Sequence, residues 1–398
     1  MTTSQAQTAR SCPVCGASAM IRCLEILQVP VLCNVLWATR EAALQAQRGN
    51  IQLEFCMQCG HLFNLAFDPG RLSYTQGYEN SLHCSPRFRH YARSLATQLI
   101  ARYNLRGKNV LEIGCGQGDF LTLLCELGGN SGLGFAPSYT VAMPATPASA
   151  YVTFIPEAYA DRHAHHAADL ICCRQVLEHL PEPIAFLTML RRSIDHRRHP
   201  VVFFEVPNAL STLRDLAIWD IIYEHCSYFG AASLEQAFTA SGFAVQHLYE
   251  TFAGQYLCLE ARPGVCRATP TVPARAAVDA MAIDVHVFAD KYRQKVADWS
   301  AHLAQLAAQG RRTVVWGAGS KGVTFLNVFQ EYDLIEYVVD LNPRKHHMYV
   351  AGTGQQIVPP AFLDTYRPEV VIIMNPIYVS EIRECLAAMG LQPVCVCP

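Results

Sequence analysis

Apolar runs and helix-period stretches alternate along the middle of this chain. Asn109 to Ile113, Gly132 to Phe135, Asp169 to Cys173 and Val201 to Val206 read as four strands, and helical stretches separate several of them. Strands alternating with helices predict an α/β fold with a parallel sheet covered on both faces. Such sheets bind ligands at the carboxyl ends of their strands. Farther on, Met281, Val285, Phe288, Tyr292, Val296, Trp299 and Leu303 recur at spacings of three or four. That period predicts a long helix from about Ala274 to Gln309. After Gly310 a second strand–glycine loop–helix unit opens at Thr313.

These patterns divide the chain into blocks. Residues 1–70 hold two CxxC pairs and short apolar runs, and residues 71–262 hold the alternating strands and helices. Arg262 to Pro273 is rich in proline and small residues and reads as a connection. Residues 274–398 hold the long helix and the second glycine-loop unit. Three domains in 398 residues agree with ordinary domain sizes.

Composition narrows the class. Hydrophobic residues make up 51% and charged residues 16%, which excludes extended disorder. The formal net charge is −2, with no basic excess for nucleic acid and no Lys/Arg block for an anionic membrane. No apolar run of about 18 residues predicts a membrane span. The opening MTTSQAQTARSCPVCG lacks the apolar segment of a signal peptide, so a reducing cytoplasmic setting is expected. In that setting the 17 cysteines read as thiols and metal ligands rather than a disulfide framework.

Four of those cysteines have a pattern. Cys12-Pro-Val-Cys15 and Cys56-Met-Gln-Cys59 are matching knuckles, each followed by glycine, Gly16 and Gly60. Two such turns can bring four thiolates onto one zinc ion, and the glycines let the backbone fold around the sulfurs. Four protein ligands leave no open position, so the expected role is structural.

The strand ending at Ile113 leads into Glu112-Ile-Gly114-Cys-Gly116-Gln-Gly118, an ExGxGxG loop before a helix. A second string runs Asp169-Leu-Ile-Cys-Cys173, then Gln175-Val176-Leu-Glu178-His179-Leu-Pro181. Together they resemble the glycine loop and the segment after the fourth strand of class I methyltransferases. The resemblance implies a Rossmann-like core that binds S-adenosylmethionine, with Glu112, Gly114, Gly116, Gly118, Phe135, Gln175 and Val176 around the cofactor. It also exposes a departure. Ala136 stands where the family usually has an acidic residue for the ribose hydroxyls, and a lost charge-assisted hydrogen bond costs about 1.5–3 kcal/mol.

The order of a double-CxxC block, this core and a third nucleotide-fold-like block resembles the three-domain sugar C-methyltransferases. The likeness rests on Cys12 to Cys59, Tyr74-Thr-Gln-Gly-Tyr78-Glu-Asn-Ser81, Glu112 to Gly118, Glu178-His179 and Tyr223-Glu224-His225-Cys-Ser-Tyr228-Phe229. It implies methylation beside a carbonyl, with a nucleotide-linked ketosugar of antibiotic biosynthesis as the expected small-molecule partner. By the same resemblance His225 is the base, Glu224 orients substrate or tunes the site, and His179 polarises the carbonyl. Tyr74 and Tyr78 donate to substrate oxygens. Tyr223 stands two residues before His225, where family members often have three. The loss at Ala136 keeps two alternatives open: a non-methylating cyclisation or elimination on the same fold, and a non-catalytic scaffold.

Plainer readings stand beside these. His179 can be a helix-start histidine satisfied by backbone, Glu224-His225 a pair at the surface or one that supports the site from behind, and Tyr74 with Tyr78 one packed helical face. His163, His165 and His166 read as a solvated loop, and Arg197-Arg198 with His196 and His199 as a polar turn before a strand. In the third block, Gly317-Ala-Gly319-Ser-Lys-Gly322 and Asp340 have the outline of a dinucleotide fingerprint. The resemblance instead implies a domain that closes the substrate cleft without its own redox cofactor. Asn375-Pro376, after the strand Val370 to Met374, either lines that cleft or makes a structural turn.

Overall fold

The computed structural model describes residues 11–74, 77–140, 151–195, 197–264, 275–330 and 334–398. His196, Ala274 and most of the expected connection, residues 265–273, lie outside the described residues.

The chain begins with an antiparallel sheet. β1 (Met20–Pro30), β2 (Arg48–Cys56) and β3 (Leu62–Asn64) form it, with helix α1 (Arg40–Leu44) between the first two strands. Alternate residues of β2, Ile51, Leu53 and Phe55, are fully buried, as expected for a half-buried strand of period two. Helix α2 (Pro86–Tyr103) follows, started by Pro86 and by the Ser85 hydroxyl, which accepts from the Phe88 amide at 3.2 Å.

The four predicted strands then form the centre of a seven-stranded sheet. They are β4 (Asn109–Ile113), β5 (Ser131–Phe135), β7 (Leu170–Arg174) and β8 (Val201–Pro207), within a residue or so of the expected bounds. With β6 (Val152–Ile155), β10 (Phe243–Thr251) and β11 (Tyr256–Pro263), the order is β10-β11-β8-β7-β4-β5-β6. The strands from β8 to β6 pair in parallel, and β11 runs antiparallel to β8 and β10. Side chains alternate between the faces. Leu111, Ile171, Val202 and Phe204 pack against α4 (Pro183–Ser193) and α6 (Ala231–Ala240). Val110, Leu170, Cys172 and Phe203 pack against α2 and α3 (Asp119–Gly128). The sheet order reverses direction between β4 and β7, which opens a crevice at their carboxyl ends.

A short helix α5 (Ala209–Arg214) and a two-residue strand β9 (Ser227–Tyr228) follow β8. β9 leaves the seven-stranded sheet and pairs with β3 of the first one, Leu62 opposite Tyr228 and Phe63 opposite Ser227. This junction positions the site, because Glu224 and His225 immediately precede β9. The Asn64 amide adds a bond to the Cys226 carbonyl at 2.9 Å.

Helix α7 (Arg275–Ala308) matches the predicted long helix. Its early apolar turns, Val278, Met281, Val285 and Phe288, and its late ones, Leu303 and Leu306, belong to one apolar cluster. That cluster continues through Ile51 and Phe55 of β2 and through Trp219. It ends in a third sheet of β12 (Thr313–Trp316), β13 (Ile335–Val339), β14 (Gln356–Val358), β15 (Val370–Ile373) and β16 (Val394–Val396). All five strands are parallel, in the order β14-β13-β12-β15-β16. α8 (Ser320–Val328), α9 (Leu363–Tyr366) and α10 (Val379–Ala388) complete this part. Its own reversal lies between β12 and β15, beside Gly317 and Asn375. No helix among the described residues is long and apolar enough to cross a membrane.

One close approach fixes the segment before β9. The Tyr223 ring lies flat on Gly49 of β2, where a Cβ would stand 2.4 Å from its Cε2. Its hydroxyl accepts from the Asp68 amide at 2.9 Å. A Gly49→Ala variant is expected to lose about 1–3 kcal/mol of stability through overpacking. Denaturant unfolding checks this; an unchanged midpoint would show that the ring has room to move.

Candidate active site

The glycine loop joins β4 to α3. Gly114, Gly116 and Gly118 all have positive φ, at 72°, 55° and 88°, a region that favours glycine. Their surroundings differ. A Cβ on Gly114 would lie 2.2 Å from Val176 Cγ2, and one on Gly118 would lie 2.3 Å from the Phe154 ring. A Cβ on Gly116 would meet nothing within 4 Å. Gly114 and Gly118 therefore serve packing, and Gly116 keeps space open. The space is a cavity of about 130 Å³ lined by Glu112, Gly114, Gly116, Gln117, Asp119, Ser138, Arg174 and Gln175. Val176 and Phe135 support it from behind: Phe135 is buried against Tyr159 and His163.

Which groups could hold a cofactor there follows from their partners. Glu112 is buried, and its Oε2 has no hydrogen-bond partner among the described residues. Burial raises its carboxyl to about 7, with the Arg174 guanidinium pulling the other way. Asp119 already accepts from the Ser81 hydroxyl, and Glu79 accepts from Ser81 and Asn342. Ala136 is buried beyond the end of β5 and does not line this cavity. Glu79 Oε2 lacks a hydrogen-bond partner too but meets Arg344 at 3.1 Å, whereas Glu112 Oε2 has no salt-bridge partner among the described residues, so Glu112 fits the amine or hydroxyls of S-adenosylmethionine. Beside it, the buried Glu205 accepts from Arg174 at 3.0 Å and from Gln175 at 3.1 Å. The Arg174 guanidinium also sits 4.0 Å from the Phe120 ring centroid.

A larger cavity of about 510 Å³ adjoins the first, and the two share Tyr78, Asn80, Ser81, Leu82, Gln175 and Tyr256. All three sheets contribute to its wall. Asn34 comes from the first block, Glu178, His179, Glu224 and His225 from the second, and Gly317, Lys321, Asp340, Lys345 and Asn375 from the third.

Glu224 is fully buried and anchors this wall. Its carboxylate accepts from the Cys33 amide at 2.5 Å and from the Tyr78 hydroxyl at 2.6 Å. Burial still pushes its carboxyl above the usual range, with those donors opposing. The Glu224 carbonyl lies 3.0 Å from His179 Nδ1, and the Tyr74 hydroxyl lies 2.9 Å from the same nitrogen. A carbonyl only accepts, so Nδ1 carries the proton and Nε2 presents a lone pair. A neutral His179 with this tautomer directs a lone pair, not a hydrogen, from Nε2. His225 stacks edge-on at 4.9 Å from the His179 ring. Burial lowers His179 to about 4 and His225 well below the usual imidazole range, the latter with further push from His179 and Lys321. Both rings are neutral at pH 7.

The other expected residues are placed as follows. Tyr74 and Tyr78 meet edge-on at 5.0 Å in a loop rather than along a helix. Tyr223 is not brought to the cavity, because Gly49 and Asp68 hold it. His163 is buried against Phe135 and Tyr159, its Nδ1 accepting from the Ala160 amide, so it is a core residue and not part of a solvated loop. Asp340 spends its carboxylate on the Ala318 and Asn342 amides, both at 2.8 Å, which closes the second glycine loop on itself. Asn375 lines the cleft, exchanges amide bonds with Gln255 at 2.9 and 3.1 Å, and caps the turn at Ile377.

Sequence reasoning missed Asn34, Lys295, Lys321 and Lys345. Lys345 is buried, donating to the Ala318 carbonyl at 2.9 Å and reaching Asn34 at 3.5 Å. Arg344-Lys345-His346 reads as an exposed basic run, and no spacing signals that its lysine turns inward.

Cys12, Cys15, Cys56 and Cys59 converge with all sulfurs within 4.8 Å of one another. Cys12–Cys59 and Cys15–Cys56 are 3.6 and 3.5 Å apart. Tetrahedral Zn–S bonds of about 2.3 Å require sulfurs about 3.8 Å apart, so the set is compatible with zinc. Gly16 and Gly60 both have φ of 74°, and each amide donates to the first cysteine carbonyl of its knuckle at 2.9 Å.

The glycine loop gives a paired test. Gly114→Ala is expected to lower the melting temperature, because Val176 blocks the added methyl group. Gly116→Ala should fold with a backbone cost of about 1–2 kcal/mol and weaken S-adenosylmethionine binding, since its methyl group enters the cavity. Calorimetric titration and thermal melting check both; equal cofactor affinity in Gly116→Ala would refute the assignment of the open face.

Two family models match parts of the chain. Residues 87–248 match the family described as a methyltransferase domain, and residues 275–393 match a C-methyltransferase C-terminal domain. No curated protein matches the chain. Among solved structures, magnesium protoporphyrin IX methyltransferase from Synechocystis with bound S-adenosylhomocysteine is 19% identical. That match covers 48% of this chain and 91% of that one, with a TM-score of 0.34. A Burkholderia thailandensis 1,6-didemethyltoxoflavin-N1-methyltransferase is 16% identical over 45% of this chain and 81% of its own, at 0.33. An S-adenosylmethionine-dependent methyltransferase from Mesorhizobium loti is 16% identical over 42% and 96%, also at 0.33. The chain is thus similar to a methyltransferase domain over residues 87–248, followed by a C-methyltransferase C-terminal domain over residues 275–393.

Proposed function

We propose that this chain methylates carbon next to a carbonyl in a nucleotide-linked ketosugar. The observation that carries the reading is a half-buried, neutral His225 in a cavity that shares a wall with the glycine-loop cavity. The match of the third block to a C-methyltransferase domain supports carbon as the acceptor. S-adenosylmethionine, when bound, supplies an electrophilic methyl group. His225 takes the proton from the acceptor carbon, a step for which a neutral imidazole is suited. Glu224 does not touch the substrate in this scheme; it fixes Tyr78 and the backbone that holds both histidines. Asn34 and Lys321 supply donors around the oxygen that gains charge as the proton leaves. A cavity of about 510 Å³ suits a small-molecule acceptor, and Lys295, Lys321 and Lys345 offer charge to its phosphates.

The test is methyl transfer to a panel of nucleotide-linked ketosugars. His225→Ala should lose about 10²–10⁴-fold in kcat while binding S-adenosylmethionine normally. Full turnover by that variant would remove His225 as the base.

The four-cysteine cluster is proposed to hold one structural zinc ion. Metal analysis should find one equivalent per chain, and Cys15→Ser should lose it together with much of the thermal stability. A structural site of this kind carries about 10–16 kcal/mol of apparent binding energy. A metal-free chain with an unchanged melting temperature would sink this assignment.

A further inference from the structure

Glu178 is an anomaly that the methyl-transfer scheme does not use. It is 1% exposed, and neither carboxylate oxygen has a hydrogen-bond partner among the described residues. A buried carboxylate with no donor is costly unless a cation compensates it. Among the described residues no lysine or arginine pairs with it, and burial raises its carboxyl to about 8. Instead two imidazoles face it. One ligand atom from each of Glu178, His179 and His225 lies within 4.8 Å of the others, and Glu178 Oε1 is 3.9 Å from His179 Nε2.

The histidines are prepared as lone-pair donors. His179 holds its Nδ1 proton against the Glu224 carbonyl, which leaves Nε2 for the cavity. A backbone carbonyl in that position is the common support of a metal-ligating histidine. The His225 ring meets His179 at 4.9 Å and Tyr228 at 5.9 Å, both edge-on. All three side chains line the larger cavity, so open coordination positions face its interior.

We propose that Glu178, His179 and His225 form a binding site for a divalent transition-metal ion, separate from the four-cysteine cluster. Two imidazoles and one carboxylate on one side of an ion suit cobalt, iron, manganese or zinc. Ligand bonds of about 2.1 Å place neighbouring donors about 3–3.5 Å apart, so side-chain rotation of about an ångström closes the set. An ion there stabilises the ionised form of Glu178, which burial alone disfavours. It also commits the His225 lone pair, so the ion-bound site cannot abstract a proton through His225. Metal binding and base catalysis by His225 are therefore exclusive states of one cavity.

Cobalt(II) titration of the protein as purified tests this without relying on methyl transfer. One equivalent should bind with the weak visible bands of nitrogen and oxygen ligands and without a thiolate charge-transfer band. Glu178→Gln and His225→Gln should each weaken this binding by about 10–100-fold, with the cysteine-bound metal retained. If Glu178→Gln does not fold, His225→Gln carries the test. No spectral change at millimolar cobalt, or equal affinity in a folded variant, overturns the proposal. Cobalt binding in a protein that transfers no methyl group would refute the methyl-transfer reading and leave the ion site standing.

Discussion

The burial of the Glu224 carboxylate is the constraint on which the candidate active site depends. A carboxylate removed from water needs donors, and Glu224 finds them in two other parts of the chain. The Cys33 amide comes from the segment after β1, and the Tyr78 hydroxyl from the loop before α2. Its own carbonyl then orients His179. The next residue is His225, and the one after begins the link to β9, whose pairing with β3 ties the segment to the first sheet. Removing any of these partners would leave a buried charge uncompensated, so the site and the domain junction are stabilised together.

Electrostatics in the two cavities follow from the same burial. In the smaller one, Glu112 Oε2 has no hydrogen-bond partner among the described residues, while Asp119 accepts from Ser81 and Glu79 pairs with Arg344. In the larger one, desolvation keeps both histidines neutral, and the hydrogen bond from Nδ1 of His179 decides its tautomer. Low dielectric makes each of these choices strong, because an unpaired polar group there has no water to turn to. The third sheet adds lysines to this wall and closes its own glycine loop with Asp340.

Much was legible in the sequence where a local rule applies. Apolar runs gave the strands around the glycine loop, because a sheet covered on both faces leaves few polar positions. The i, i+3 and i+4 spacing gave α7, and the repeated knuckles gave the cysteine cluster. Local rules failed where the partner was remote. His163 sits in a polar string yet packs on Phe135, and Tyr223 belongs to a motif yet is held by Gly49 and Asp68. Nothing near Asn34 or Lys345 in the chain points to the cavity they line.

The sequence by itself determined the α/β class, the cofactor loop and the four sulfurs, because these depend on residue type and short spacing. Tertiary structure decided what each titratable group does. Glu178 and Glu224 are both glutamates followed by histidine, and both are buried. One meets two donors from distant segments, and the other meets none. That difference comes from which chain segments pack beside them, and burial turns it into the contrast between an anchor and an unpartnered carboxyl.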